Sequence, residues 1–175
     1  MPIEIVKGDI FSITADALVV PGNVQPDLNW GSHIAEKVNK LVDEEVRQER
    51  KQHGNIPLGD ACLTSGKGTG FNYLIHASVL DKYDFNPLFL LKLRQRTSDD
   101  TLVSAVKKCK ELAESNNMSS VAISAMGAGI GGMNYMKCCS IILKGLADSN
   151  VQWYFSARKE KQYLLAQKLL NDKAN

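Results

Sequence analysis

The stretch that decides the fold runs from residue 121 to residue 132 and reads VAISAMGAGIGG. Val121, Ala122 and Ile123 form a short apolar run that is typical of a buried strand. The glycine-rich residues 127–132 follow, and then an apolar helical pattern continues through Leu143. This order predicts a strand, a loop and a helix, with the loop at the carboxyl end of the strand, where α/β proteins bind their ligands.

Strand and helix signals alternate along the rest of the chain. Short apolar runs predict strands at residues 3–6, 17–20, 61–63, 73–79 and 152–155. Amphipathic patterns predict helices that begin near Ser32, near Thr97 and at Lys159. The alternation predicts a mostly parallel sheet with helices on both faces, an α/β layered domain that takes up residues 1–175.

Local patterns predict the ends of two helices. The apolar positions after Ser32 share one helical face, which indicates a single helix that ends near Gly54; they are Ile34, Val38, Leu41, Val42 and Val46. Thr97, with Asp100 three residues later, is similar to a capping box. This pair predicts that Thr97 caps the next helix.

The charge balance does not indicate a nucleic-acid partner. The chain has 21 Lys and Arg against 19 Asp and Glu, a formal net charge of +2 without a strongly basic character. No apolar run approaches the roughly 18 residues of a membrane span, and the first residues lack a signal-peptide pattern. We therefore expect a cytoplasmic protein without a membrane partner.

The cysteines and histidines show no metal-ligand spacing. The 4 cysteines, at positions 62, 109, 138 and 139, include no C-x-x-C pair, and the 3 histidines are scattered. We expect free, mostly buried thiols, as is usual in a reducing compartment, and neither a metal nor a cofactor.

Neither glycine cluster fits a common nucleotide-binding loop. Gly127, Gly129 and Gly132 satisfy the G-x-G-x-x-G of dinucleotide-binding domains, but too little chain follows for the rest of such a domain. The last strand also ends at Ser156 with no acidic residue for a ribose hydroxyl. Residues 66–70 lack the Ser or Thr after lysine that a P-loop needs, so they are predicted to form a turn.

Five stretches, taken in order, carry a resemblance to a known family. They are GDI with DALVVPGN at residues 8–10 and 16–23, GSHIAEKV at 31–38, PLGDA at 57–61, YLIHA at 73–77 and SAMGAGIGG at 124–132. Each is similar to a stretch of the macro domain, a module that binds ADP-ribose and in some members hydrolyses ADP-ribosyl linkages. The resemblance runs from residue 3 to about residue 170 and implies the three-layer α/β/α macro-domain fold.

The resemblance also implies a site for ADP-ribose or an ADP-ribosyl group at the carboxyl ends of the strands. Asp9 would accept from the adenine amino group, with the Ile10 backbone beside it, unless Asp9 only serves the turn after Gly8. The distal ribose and the diphosphate would contact Asn23, Gly31, Ser32 and His33, together with Gly127, Ala128, Gly129, Ile130 and Gly131. Phe155 or Ser156 would lie against adenine, with a buried core phenylalanine as the alternative for Phe155.

The chain departs from the family pattern where catalysis would take place. Val20 stands where the family has an asparagine, and His33 stands where it has a glycine. Catalysis would rest on Asn23 and His33. His33 is a candidate base because an imidazole transfers protons near neutrality; alternatively, His33 only fills or caps the loop. Asp81 and Asp84 are further candidates from the apolar connection at residues 81–96.

Three functions remain open on the sequence. The protein is an ADP-ribosyl hydrolase or O-acetyl-ADP-ribose deacetylase, a non-catalytic ADP-ribose reader, or a macro fold used as an interaction module. The expected partner is ADP-ribose or an ADP-ribosylated target, bound by a monomer. The connection at residues 81–96 is a lid over the ligand, a partner surface or a loop packed on the core.

Overall fold

The structure, a computed structural model, describes residues 2–25, 32–80 and 96–172. Its six strands are β1 Ile3–Lys7, β2 Ala17–Asn23, β3 Ala61–Ser65, β4 Tyr73–Leu80, β5 Ser120–Ser124 and β6 Gln152–Ala157. The described α-helices are α1 His33–Leu41, α2 Glu44–Gln52, α3 Asp99–Ser115, α4 Tyr135–Gly145 and α5 Glu160–Asn171, and a 3-10 helix spans Ile10–Ser12.

The strands form one mixed sheet in the order β1-β6-β5-β2-β4-β3. All neighbouring pairs are parallel except β3 and β4, which pair antiparallel at the edge. Five of the strands therefore end at the same edge of the sheet. The predicted α/β class and the mostly parallel sheet are confirmed.

Hydrophobic clusters cover both faces of the sheet. Along β2 the side chains alternate, so that Ala17 and Val19 join the cluster under α3, α4 and α5, while Leu18 and Val20 join the cluster under α1 and α2. This alternation explains why the central strand reads as a continuous apolar run: both of its faces are buried.

The prediction of a single helix from Ser32 to Gly54 is wrong. The backbone is extended at Val42 and Asp43, which separates α1 from α2. The glycine turn after β3 packs against the break, since a Cβ at Gly68 would overlap the Leu41 carbonyl oxygen. The shared apolar face survives the break, because Val42 is still buried in the cluster under both helices.

The cap of α3 also lies one residue later than predicted. Ser98, not Thr97, is the N-cap, and its Oγ accepts from the Thr101 backbone N–H at 3.2 Å. Thr97 is fully buried instead, and its hydroxyl donates to the Val79 carbonyl oxygen at 2.8 Å. Thr97 therefore ties the start of α3 to the end of β4.

Three observations bear on the expectations about thiols, metals and membranes. All four cysteines are free, with Cys109, Cys138 and Cys139 buried and Cys62 partly so. Within the described residues, no group of three or more Asp, Glu, His or Cys side chains is arranged to hold a metal ion. None of the described helices combines the length and hydropathy that a membrane span requires.

Candidate functional site

A cavity of about 330 Å³ lies at the carboxyl edge of the sheet, a volume within the usual range of small-molecule sites. Pro21, Leu80, Ser124 and Ser156 line it from the ends of β2, β4, β5 and β6. The cavity follows from the parallel pairing, because the ends of these strands and the loops after them meet at one edge.

The glycine-rich loop after β5 forms one wall of the cavity. The residues of this wall are Ser124, Ala125, Met126, Gly127, Ala128, Gly129, Ile130 and Gly131. The loop closes on itself, since the Gly127 carbonyl oxygen accepts from Met133 N–H at 3.0 Å and the Gly129 carbonyl oxygen accepts from Gly132 N–H at 3.1 Å. The predicted loop residues thus stand together at the cavity.

The glycines of this loop serve different purposes. Gly127 has a φ of +85°, and a Cβ there would come within 2.8 Å of Thr97 Cγ2. A Cβ at Gly131 would overlap Thr97 Oγ1 and the Gly127 carbonyl oxygen. Gly129 has open space around it and no left-handed backbone. Packing therefore demands glycine at Gly127 and Gly131, but it does not demand glycine at Gly129.

Asp9 lines the cavity where β1 leads into the 3-10 helix. It caps that helix, because its Oδ1 accepts from Phe11 N–H at 3.2 Å. Its Oδ2 accepts from Lys37 Nζ at 3.0 Å. Burial raises the pKa of Asp9, but the hydrogen bonds from Lys37 and Phe11 and the charges of Lys37 and Arg158 outweigh it, so the pKa lies below its ordinary value.

Ser32 and His33 approach the cavity at the beginning of α1. Ser32 is the N-cap: its Oγ accepts from Ala35 N–H at 3.0 Å and donates to the Pro21 carbonyl oxygen at 2.8 Å. These two bonds tie the start of α1 to the end of β2. His33 follows at the first helical position and is exposed.

Two predicted residues do not line the cavity. Phe155 is fully buried in the core with Trp153 and Ala157, which share its face of β6. Of the two alternatives for Phe155, the structure therefore agrees with the buried core residue and not with stacking on adenine. Asn23 is 7% exposed, and its Oδ1 accepts from Gln25 N–H at 2.9 Å. Ser156 does line the cavity, and its hydroxyl donates to the Gly8 carbonyl oxygen at 3.0 Å.

Some predictions fall outside the described residues. Gly31, Asp81 and Asp84 are among them, as are residues 81–95 of the apolar connection. Arg96, the last residue of that connection, is described, and its backbone N–H donates to the Gly131 carbonyl oxygen at 3.0 Å. The connection therefore ends on the glycine-rich loop.

Several cavity residues were not predicted from the sequence. They are Phe11, Pro21, Ile34, Val79, Leu80, Ser124, Ala125, Met126, Tyr135, Arg158 and Gln162. Arg158 directly follows β6, so its position after a strand end was a usable signal. Tyr135 and Gln162 lie on helices, and only the packing of those helices brings them to the cavity.

Comparison with known proteins identifies the family. The sequence matches the family model of the macro domain over residues 24–142. The chain belongs to the macro domain family. An uncharacterized protein of Aquifex aeolicus is 30% identical over 133 residues, which are 76% of this chain and 73% of that protein. An uncharacterized protein of Sulfurisphaera tokodaii is 29% identical over 146 residues, 82% of this chain and 74% of that protein.

Solved macro domains share the fold at low sequence identity. A macrodomain of Oceanobacillus iheyensis solved with ADP has a TM-score of 0.78 and 20% identity, covering 98% of this macro domain and 91% of that chain. A Trypanosoma brucei macrodomain in complex with ADP-ribose has a TM-score of 0.75 and 18% identity, covering 95% of this chain and 68% of that chain. The fold expected from the sequence resemblance is thereby confirmed.

Proposed function

We propose that this macro domain binds ADP-ribose or an ADP-ribosyl group in the cavity at the carboxyl edge of the sheet. The observation that carries the proposal is that Asp9 and the glycine-rich loop of residues 127–131 line the same cavity. Proteins of the same fold have been solved with ADP and with ADP-ribose, which supports a ligand of this class.

Each part of ADP-ribose is assigned to the part of the cavity that suits its chemistry. The adenine amino group donates to Asp9 beside the Ile10 backbone, because an ionised carboxylate only accepts hydrogen bonds. The diphosphate lies against the loop of residues 127–131, whose small residues allow its backbone close to the phosphate oxygens. The distal ribose lies toward Ser32 and His33 at the N-terminus of α1.

A titration with a loop variant tests the proposal. Calorimetry should show ADP-ribose binding by the parent and none by Gly129→Val, because the valine fills open space next to the proposed diphosphate. The fold should tolerate this change, since Gly129 has neither a close neighbour nor a left-handed backbone. Leu164→Val, a mild change at an exposed residue that does not line the cavity, is the control and should bind as the parent does.

Two results would count against this placement. A parent that binds neither ADP-ribose, AMP nor NAD would contradict the proposed function as a whole. Unchanged affinity in a folded Gly129→Val protein would mean that the phosphates lie elsewhere.

We propose further that the bound ADP-ribosyl group is a substrate for hydrolysis, with His33 as the base that activates water. The supporting observation is that His33 is the histidine that lines the described part of the cavity, at the end proposed for the distal ribose. An imidazole suits this role because it exchanges protons near neutral pH. Asn23, the other catalytic candidate, does not line the cavity.

Turnover of a mono-ADP-ribosylated protein tests the hydrolytic role. His33→Ala should lose turnover while retaining ADP-ribose affinity, whereas His53→Ala, a change at an exposed histidine outside the cavity, should behave as the parent. Equal turnover by parent and His33→Ala would exclude His33 as the base. Absence of turnover in a parent that binds ADP-ribose would identify the protein as a reader.

A further inference from the structure

Lys37 contacts two cavity residues without lining the cavity itself. It lies on α1, one turn after His33, and its ammonium is 3.0 Å from Asp9 Oδ2 and 4.1 Å from the centre of the Phe11 ring. Asp9 and Phe11 both line the cavity, whereas Lys37 is absent from its wall. Lys37 therefore contacts two residues of the cavity wall from outside the wall.

The Asp9 carboxylate is held at both oxygens. Oδ1 accepts from Phe11 N–H at 3.2 Å, and Oδ2 accepts from Lys37. A carboxylate has about four acceptor sites, so both bonds leave room for a further donor. Lys37 thus orients the group without using up its capacity to accept from a ligand.

The Phe11 ring is also held from two directions. The Lys37 ammonium lies over it in cation–π geometry, and Phe71 meets it edge-on with the ring centres 6.5 Å apart. One cation therefore fixes both the carboxylate and the aromatic ring at this end of the cavity.

We propose that Lys37 is a positioning residue for base recognition, which holds Asp9 and Phe11 in the arrangement that selects a 6-aminopurine over a 6-oxopurine. This inference rests on the proposed function. The 6-amino group donates to an ionised carboxylate, whereas a 6-oxo group presents a second acceptor and repels it.

The charges around Asp9 support the same role. The groups that face it are Lys37 from α1, Arg158 after β6 and the Phe11 N–H of the 3-10 helix, and together they keep its pKa below the ordinary value despite burial. Loss of Lys37 removes its hydrogen bond and its charge, so the pKa of Asp9 should rise. Recognition that depends on the ionised carboxylate should then fail at a higher pH than in the parent.

Calorimetric titrations with ADP and inosine diphosphate between pH 7.5 and pH 3.5 test the inference. Lys37→Met should weaken ADP binding by about fivefold, the upper range for loss of a partly exposed ion pair, and should narrow the preference for ADP. As the pH is lowered, the ADP affinity of Lys37→Met should also begin to decline at a higher pH than that of the parent. Lys37→Arg should restore most of the preference for ADP over inosine diphosphate. The control is Lys40→Met, which removes an exposed lysine of the same helix that pairs with Glu36; this variant should bind both nucleotides as the parent does.

The outcomes separate the inference from the proposed function. The inference alone would be overturned if Lys37→Met bound ADP with the affinity, base preference and pH profile of the parent. It would also be overturned if Lys37→Met bound ADP more tightly, because Lys37 would then compete with the ligand for Asp9. Failure of the parent to bind ADP-ribose or ADP would overturn the inference together with the function on which it rests.

Discussion

At the scale of the single residue, His76 couples protonation to the stability of the fold. It is 3% exposed in β4, with Nε2 lying 2.8 Å from Thr64 Oγ1 and with no hydrogen-bond partner for Nδ1 among the described residues. Burial, followed by the charges of Arg50 and His53, lowers the pKa of His76 to about 3. The folded state therefore holds this imidazole neutral at a pH where the unfolded chain protonates it.

The sign of the pH effect follows from this difference. As the pH falls below about 6.5, the unfolded state binds a proton that the folded state refuses, so stability is lost progressively toward pH 3. We expect His76 to contribute up to about 1.4 kcal/mol per pH unit to the decline of the unfolding free energy. Urea denaturation of the parent and of His76→Asn between pH 6.5 and pH 5 measures it.

The variant should show a flatter dependence on pH than the parent. The exposed His33 provides the matched control, because His33→Asn removes a histidine without changing the buried cluster. Equal slopes for parent and His76→Asn would show that the buried imidazole does not govern the acid sensitivity in this range.

Residue positions were predictable where strand ends determine them. The family resemblance implied Asp9, Ser32 and Ser156 as site residues, and they reach the cavity because they stand at the ends of parallel strands or at the start of the next helix. Phe155 was predicted less well, although it alternates with Trp153 on the buried face of β6 and this period was visible in the sequence.

At the scale of the element, the glycine-rich loop depends on a contact that no local pattern reveals. Thr97 lies far from the loop in sequence, yet its side chain takes up the space that a Cβ at Gly127 or Gly131 would need. The Thr97 hydroxyl is also engaged by the Val79 carbonyl oxygen, and Ser98 is the N-cap of α3 instead. Similarly, the turn at Gly68 packs against the break between α1 and α2, although the two are distant in sequence. Sequence patterns located these elements but not their boundaries.

Two alanine variants should separate packing from binding within this loop. Gly131→Ala should lower the unfolding free energy by about 1–3 kcal/mol, because the added methyl overlaps Thr97 Oγ1 and the Gly127 carbonyl oxygen. Gly129→Ala should be neutral or slightly stabilising, since its position is open and its backbone suits alanine. Thermal denaturation without ligand measures both, and equal melting temperatures would contradict the packing role of Gly131.

At the scale of the whole molecule, the sequence predicted the architecture because strands and helices alternate. Parallel strands need crossover helices, and these helices must cover both faces of the sheet, so alternation restricts the topology strongly. The antiparallel β3 at the edge departs from the pattern. Residues 66–72, which include the glycine-rich turn, join it to β4, and such a short connection suits an antiparallel pair. The cavity then follows from where the parallel strands end.

Ligand binding at this edge should stabilise the whole fold by linkage. ADP-ribose at 100 times its dissociation constant adds about 2.7 kcal/mol to the unfolding free energy, which raises the melting temperature by about 5–10 °C for a domain of this size. Asp9→Asn keeps an oxygen for the cap of the 3-10 helix but loses the charge that Lys37 and the proposed adenine contact.

An affinity for ADP-ribose about tenfold weaker than that of the parent is expected for Asp9→Asn from the loss of this charged hydrogen bond. The same ligand concentration then adds only about 1.4 kcal/mol to the unfolding free energy, roughly half the shift in melting temperature. Thermal denaturation with and without ADP-ribose measures both proteins, with ribose 5-phosphate as the ligand control. A parent without a shift at millimolar ADP-ribose would contradict binding, and equal shifts in both proteins would exclude Asp9 from the base contact.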